Sequence, residues 1–449
     1  MSAATTSTVT KGLPGVAGLL TKAMGWAGIA SQISRIDLGK GEVDWFAYYV
    51  LSHGFQPGVR SLSREKSEKA LHTTGVGCHP DSQEALICAI AECVERTSAA
   101  FWSEDRVIVS SADALADKAL DLNSLPVCDE EEYRSPYCLL ERPRKSATIR
   151  WIEGQLLGED RKAWIPLVLS HLYTDRRLPG EQIAHSISTG LAAHSSFEAA
   201  GLRSVLETIE RDALALTWLL RRQVPRVLLR DLDSVTQAYL DQHERLSPHV
   251  TLEVFDITTD LGIPVLLCLQ SLHARPFAHS LVSCSCAPTY REALQKVLRD
   301  AVLCRSANST QKPYPARLEE FHDLASGAAY MADAARKDAF QFLRSSPLTV
   351  RWIELEEINS RKPLLSLQSL VSGLKRKNIE VYLADLSTVE SLDLGLYVTR
   401  AVIPALQPIS FHYAARYLGH ERLTRYRAAS SAAGFYHEGT INPFPLPFD

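Results

Sequence analysis

The 449-residue chain has no apolar run long enough to span a membrane. Its longest clean one, Ile263-Pro264-Val265-Leu266-Leu267-Cys268-Leu269, is the length of a strand. Charge of one sign is missing too. Lys plus Arg is 48 and Asp plus Glu is 52, and a net charge of −4 argues against a nucleic-acid binder that works by bulk charge. The nine cysteines offer no CxxC pair and no Cys/His zinc spacing. An odd count without a framework points to a reduced, cytoplasmic chain. Cys284-Ser285-Cys286 comes closest to a metal motif and reads as small buried residues. Neither a Walker A loop nor a Rossmann glycine fingerprint is present, so a nucleotide site would need another construction. The stretch Gly12 to Leu20 is broken by Gly and Pro and ends at Lys22, so it reads as a tail entering a short helix.

What is present is ordinary globular composition, 46% hydrophobic and 22% charged, enough for a large core without staples. From about residue 66, Ala-, Leu- and Glu-bearing helical stretches alternate with Val-, Ile- and Leu-rich runs. The spacing predicts strands at 106–109, 163–169, 226–229, 250–255, 264–269, 348–353 and 379–384. The fold class is therefore α/β (or α+β). Residues 123–146 and 176–181 read as loops. No linker divides the chain after residue 66, which gives an N-terminal extension over 1–65 and one domain over 66–449.

A pattern recurs three times. Asp81-Ser82-Gln83-Glu84, Ser195-Ser196-Phe197-Glu198 and Thr289-Tyr290-Arg291-Glu292 each have capping-box spacing and each open a helix. Three such openings suggest a repeated helical unit. The first helix is apolar on nearly every side from 85 to 94, which predicts burial, yet Glu92 and Glu95 stand at i, i+3 and are followed by Arg96. The second repeats the arrangement with Glu207, Glu210 and Arg211. The third carries Lys296, Arg299 and Asp300. An isolated E-x-x-E-R is most simply a solvated face with local ion pairs. Two copies on strongly apolar helices read differently. Buried carboxylates cost several kcal/mol unless paired or metal-bound, and hard cations take oxygen ligands. Converging carboxylates would form a Mg2+ cage, with adjacent Arg and Lys holding phosphates.

At these residues the chain resembles the YcaO family. The signature S-x-x-x-E-x-x-E-R is similar to Cys88 through Arg96. The signature N-G-L-A-A-G with a following E-x-x-E-R helix is similar to Thr189 through His194 and Glu207 through Asp212. R-x-x-x-E with a later Q-x-R is similar to Lys296 through Asp300 and Leu303-Cys304-Arg305. Val402 to Pro408 and Tyr417 to Arg422 resemble the region before the family's tail. The last residues, Asn442-Pro443-Phe444-Pro445-Leu446-Pro447-Phe448-Asp449, contain the P-x-P-x-P associated with azoline-forming members. The resemblance covers about 66 to 449. It implies a YcaO-like fold of repeated helix–sheet units around a nucleotide–Mg site, in an ATP-dependent cyclodehydratase that phosphorylates a backbone amide oxygen of a ribosomal precursor peptide. Cys, Ser or Thr residues would become thiazoline or oxazoline rings, as in bacteriocin and antibiotic biosynthesis.

Carried over residue by residue, the resemblance makes Glu92, Glu95, Glu207, Glu210 and Asp300 the Mg2+ ligands. Arg96, Arg211 and Lys296 contact phosphates or hold those carboxylates, and Glu84 and Ser195 contact the nucleotide. The tail, with Pro443, Pro445 and Pro447, stiffens as polyproline and places the Asp449 carboxylate near the reacting peptide as a base. Cys88 stands for the family's Ser, and Val76 for the Lys of a G-K-G. Thr189 and Ser195 stand for Asn, Lys296 for Arg, Asp300 for Glu and Leu303 for Gln. The four Glu remain, so the metal set is matched more fully than the adenosine and ribose contacts. The implied partners are the precursor peptide, a separate leader-binding protein similar to ubiquitin-activating enzymes, a flavin-dependent dehydrogenase, and a second copy of the chain in a homodimer. The alternatives are thioamide or amidine formation, a non-catalytic scaffold subunit, and an unrelated Mg2+–ATP ligase.

Overall fold

The computed structural model describes residues 16–25, 28–39, 41–54, 71–159, 161–174, 178–246, 249–273, 278–361, 363–432 and 440–448. Fourteen strands among them form three sheets. β1 (Ala30–Arg35), β2 (Phe46–Ser52) and β3 (Thr74–His79) make an antiparallel sheet in that order. β4 (Val107–Ser111), β5 (Thr148–Leu156), β13 (Tyr382–Asp385), β14 (Tyr397–Val402) and β7 (Leu191–His194) lie in that order in the second sheet, with β6 (Arg161–Pro166) paired to β5. The third runs β11 (Ser280–Cys286), β10 (Val265–Leu272), β9 (Val250–Asp256), β8 (Arg226–Leu228), β12 (Thr349–Arg351).

Three long helices join the sheets: α1 (Ser82–Ala100), α2 (Phe197–Leu220) and α3 (Tyr290–Ala307). Each follows a strand by a short capped turn, β3 before α1, β7 before α2 and β11 before α3, so the repeat anticipated as helical is a strand–cap–helix unit. The caps are Asp81, Ser196 and Thr289, whose side chains accept from backbone N–H groups two or three residues on. The second cap is Ser196, one residue after Ser195. None of the three closes with the reciprocal glutamate bond; the Asp81 N–H, for one, donates to His79 Nδ1 instead. A complete capping box forms instead at Asp129 and Glu132, inside the segment read as loop, where it opens a short helix, Glu130–Arg134. The runs 163–169 and 348–353 each turn from strand into helix midway, at Leu167 and Trp352.

α1 is apolar all round because it is covered on several sides, by β2 and β3 and by β7 and β14. Gly75 and Gly77 permit the approach of β3. A Cβ on Gly75 would lie 2.1 Å from the Ala89 carbonyl oxygen, and one on Gly77 2.1 Å from that of Ala85. β1 and β2, which fall within the stretch read as an extension, are built into this sheet, since Phe46–Leu51 pairs with Thr74–His79. The same stretch is tied to α3 through a buried ion pair. Fully buried Arg305 donates to Glu42 at 2.7–3.1 Å and to Gln270 at 2.7 Å. Removing one partner of such a pair strands a desolvated charge. Glu42→Ala is expected to destabilise the chain by about 3 kcal/mol in urea unfolding, and Glu42→Leu combined with Arg305→Met by distinctly less.

His171, His243 and His420 are 7%, 2% and 5% exposed, and burial pushes their pKa values down to about 3, 3 and 4. In the unfolded chain they titrate at about 6.5. The folded rings stay neutral while the unfolded ones take up protons, so stability falls as pH drops from about 6.5 toward 4, by about 1.4 kcal/mol per pH unit per histidine. Urea midpoints measured from pH 7 to 4 check this. His243→Phe, which keeps an aromatic ring edge-on to Trp45, should make the slope shallower by one proton.

Among the described residues no helix is long and apolar enough to cross a membrane. All nine cysteines are free, and Cys284 and Cys286 are buried in β11 as small core residues.

Candidate functional site

The acidic pairs of α1 and α2 face each other across one cleft, with α3 closing a third side. On α1 the stripe Glu84, Cys88, Glu92, Glu95 and Arg96 is the least buried face of the helix. Each glutamate of the two pairs is held by backbone, three of them from strands and Glu207 from the turn that enters β7. Val76 N–H of β3 donates to Glu92 Oε2 at 2.5 Å, and Ala193 of β7 hydrogen-bonds Glu95. Gly190 N–H donates to Glu207 Oε2 at 3.0 Å, and Cys286 N–H of β11 donates to Glu210 Oε2 at 2.7 Å. These amides orient carboxylates that would otherwise pay full desolvation.

The cations are threaded between them. Arg96 Nη2 meets Glu92 Oε1 at 2.7 Å. Arg211 reaches Glu207 at 3.2 Å and Glu210 at 3.1 Å, the latter close enough for an ion pair but without hydrogen-bond alignment. Lys296 lies 3.4 Å from Glu210 and 3.8 Å from Asp300. Although deep among three helices, Lys296 and Asp300 keep 39% and 37% of their side chains open to solvent, so the cleft is accessible.

The electrostatics show excess negative charge on the α1 side. Burial, reinforced by Glu207 and Glu92, pushes Glu95 up to about 8. Burial raises Glu92 against the pull of Arg96, and raises Asp300 against that of Lys296. Burial works against the Lys296 ammonium, but Glu210 and Asp300 outweigh it and hold it above the usual lysine range. Crowded carboxylates of this kind take a proton or a cation. The donor set is all oxygen, which suits Mg2+. Among the described residues no three Asp, Glu, His or Cys converge into a metal cage. The carboxylates are neighbours rather than the closed cage anticipated. That still fits Mg2+, which keeps several waters and binds through one or two carboxylates plus substrate phosphates.

Of the remaining sequence candidates, Glu84 is half-buried at the start of the α1 stripe. Ser195 sits in the turn before α2, with its Oγ 3.2 Å from His194 Nδ1. The tail is docked onto α2. Asn442 N–H donates to the Leu219 carbonyl and its side chain to the Trp218 carbonyl, and Trp218 Nε1 donates to the Phe444 carbonyl at 3.1 Å. Pro443 is exposed and its carbonyl accepts from Tyr413; Pro445 and Pro447 are buried. Phe448 bridges Val282 on the free edge of β11, and its ring lies 4.2 Å from the Arg211 guanidinium carbon. The tail thus ends at the arginine that ties Glu207 to Glu210. Asp449 lies outside the described residues.

Two residues with no role in the sequence reading adjoin the cleft, Arg400 of β14 and Gln407. A lone arginine in Tyr397–Val402 was the signal for the first, and Gln407 falls in a stretch singled out only by resemblance. A cavity of about 750 Å³, lined by Trp102, Trp164 and His171, contains none of Glu92, Glu95, Glu207, Glu210 and Asp300.

A family model described as YcaO cyclodehydratase, ATP- and Mg2+-binding, matches residues 76–407. A protein in the tfuA 3′ region of Rhizobium leguminosarum bv. trifolii is 27% identical over 248 residues, 52% of this chain and 56% of that protein. A heterocyclase in complex with substrate and cofactor superposes with a TM-score of 0.73 at 18% identity, over 96% of this chain and 57% of its own. The E. coli microcin synthetase McbBCD complex gives 0.63 at 15% identity, over 94% and 98%. The chain therefore spans little more than half of the Rhizobium relative and of the heterocyclase, and the structural likenesses are of fold.

Proposed function

The chain belongs to the YcaO family and is an ATP-dependent, Mg2+-binding enzyme, and from that premise we propose that it is the cyclodehydratase subunit of an azoline-forming peptide synthetase. The observation that carries this reading is the proline-interleaved tail, seated on α2 with Phe448 over Arg211.

In this reading Glu92, Glu95, Glu207, Glu210 and Asp300 hold Mg2+, which neutralises charge on the transferring phosphoryl group. Arg96, Arg211 and Lys296 hold phosphate oxygens, and Glu84 and Ser195 face the nucleoside. A Cys, Ser or Thr side chain of the peptide attacks the preceding carbonyl carbon and loses its proton. The oxygen of that carbonyl takes the γ-phosphoryl group of ATP. Departure of phosphate, with loss of the amide N–H proton, leaves the C=N bond of the ring. The peptide has lost one water, and ATP has become ADP and phosphate. Asp449, the residue after Phe448 in the sequence, is the proposed base. Pro443, Pro445 and Pro447 stiffen the segment that presents it. The proposed partners are the precursor peptide and a separate leader-binding chain, with a flavin-dependent dehydrogenase to oxidise the rings.

The test incubates the chain, its leader-binding partner and a Cys-containing precursor with Mg2+ and ATP, and reads the peptide by mass spectrometry. The expected result is a loss of about 18 Da per ring with one phosphate released for each. Unchanged mass without phosphate release, or a gain of about 16 Da only on adding sulfide, would overturn the reading.

A further inference from the structure

Beside the carboxylates lies a cavity of about 110 Å³. Ile183, Ile187, Ile403 and Leu406 make much of its wall. Arg211 also lines it, so the cavity and the carboxylate cleft share a side chain. Two other residues of the wall are incompletely satisfied. Arg400 is 8% exposed. Its Nη1 donates to the Ile187 carbonyl at 2.8 Å, but its Nε has no partner in the protein. Gln407 is 1% exposed. Its side-chain nitrogen donates to the Tyr417 carbonyl at 3.2 Å and the Arg416 carbonyl at 3.4 Å, which fixes the amide orientation, and its Oε1 has no partner in the protein.

A buried donor or acceptor left without a partner keeps its full desolvation penalty, so two in one wall point to an occupant. The wall is also held in a costly conformation. Tyr417 is buried with φ +59°, in the left-handed region, and its hydroxyl accepts from His185 N–H at 3.1 Å. An anion would use Arg400 and Arg211 but would face the Gln407 oxygen. A cation would be repelled by both guanidiniums. The complementary group is neutral, accepts at one point and donates at another, and has a small apolar flank.

We propose that this cavity seats one backbone amide of the acceptor peptide, whose carbonyl accepts from Arg400 Nε and whose N–H donates to Gln407 Oε1. The inference rests on the reading of the substrate as a peptide. A cavity of ~150 Å³ just admits benzene, so this smaller one accommodates Gly, Ser or Cys at the seated position and excludes aromatic residues. The seat would give the enzyme a grip on the peptide that is independent of side-chain sequence, beside the phosphoryl-transfer site.

The test uses the full chain with Mg2+ and ADP, and two probes: acetyl-glycyl-cysteine methylamide, and its analogue with an ester in place of the Gly–Cys amide. Affinities are read by ligand-observed NMR. Gln407→Leu should weaken the amide probe about tenfold and leave the ester, which has no N–H to donate, nearly unchanged. Arg400→Lys should weaken both about tenfold. Equal weakening of amide and ester by Gln407→Leu would assign Gln407 a structural role and overturn the proposal. Unchanged affinity in both variants would leave the cavity to ordered water and overturn it as well. If the wild-type complex forms no rings while the amide–ester difference holds, the cyclodehydratase reading fails and the amide seat stands.

Discussion

Glu207→Gln is expected to lower turnover by on the order of 10³-fold while the chain still folds. The substitution is nearly isosteric. A glutamine oxygen can still accept from Gly190 N–H, and Arg211 keeps Glu210. What is lost is one negative charge facing Glu95. A loss of turnover with the melting temperature held within a few degrees would separate metal holding from scaffolding. Turnover within tenfold of wild type would remove Glu207 from the Mg2+ set and weaken the assignment of the other four.

The same substitution has a proton-linked readout. Glu95, pushed up to about 8, is mostly protonated at pH 7, with burial the first cause and Glu207 the second. A cation can bind only the carboxylate, so Mg2+–nucleotide binding at pH 7 should release up to about 0.9 proton from this group, and about half a proton at pH 8. The apparent affinity should therefore rise with pH and flatten above about 8. Glu207→Gln removes the second cause, lowers the Glu95 pKa and reduces the release at pH 7. Calorimetry in two buffers of different ionisation enthalpy measures it. Release that is the same in wild type and variant would place the proton elsewhere.

The parts legible in the sequence were those written in local spacing. Two E-x-x-E-R runs on apolar helices carried their own contradiction, charge on a buried surface, and the structure brings both pairs to one cleft. Hydroxyl and carboxylate residues before each helix marked the three starts to within one residue; Ser196 caps α2 in place of Ser195 because it is the residue whose oxygen reaches Ala199 N–H. What stayed hidden depends on pairing across distance. β7 is four residues long and shows no period of its own; it exists because β14 pairs with it. The amides of Val76, Gly190 and Cys286 that hold the carboxylates belong to every residue type but proline, so no composition reveals them. Arg400 and Gln407 stand out only once burial shows that one polar atom of each, Nε and Oε1, is left without a partner.

Removing residues 442–449 is expected to abolish ring formation, with a fall of at least on the order of 10²-fold, while Mg2+–ATP affinity stays within a few-fold of wild type. The difference follows from where the tail lies. It touches α2 at Trp218 and Leu219 and then crosses to Arg211 and the edge of β11, and among the described residues it makes no hydrogen bond or ion pair to the five acidic side chains. The deletion also bares a strand edge and the apolar surface under Phe444, Leu446 and Phe448, which invites self-association. A milder variant keeps the experiment interpretable. Phe448→Ala leaves the bonds at Asn442 and Phe444 in place and removes only the ring over Arg211, a contact of about 0.5–2 kcal/mol. If the tail presents a base to the peptide, Phe448→Ala should lower kcat several-fold with little change in the KM for ATP, and the deletion should nearly eliminate it. If the tail only closes the β11 edge, the deletion will lower stability and Phe448→Ala will leave kcat untouched. Ring formation measured beside thermal unfolding in the two variants therefore distinguishes a catalytic strap from a structural one.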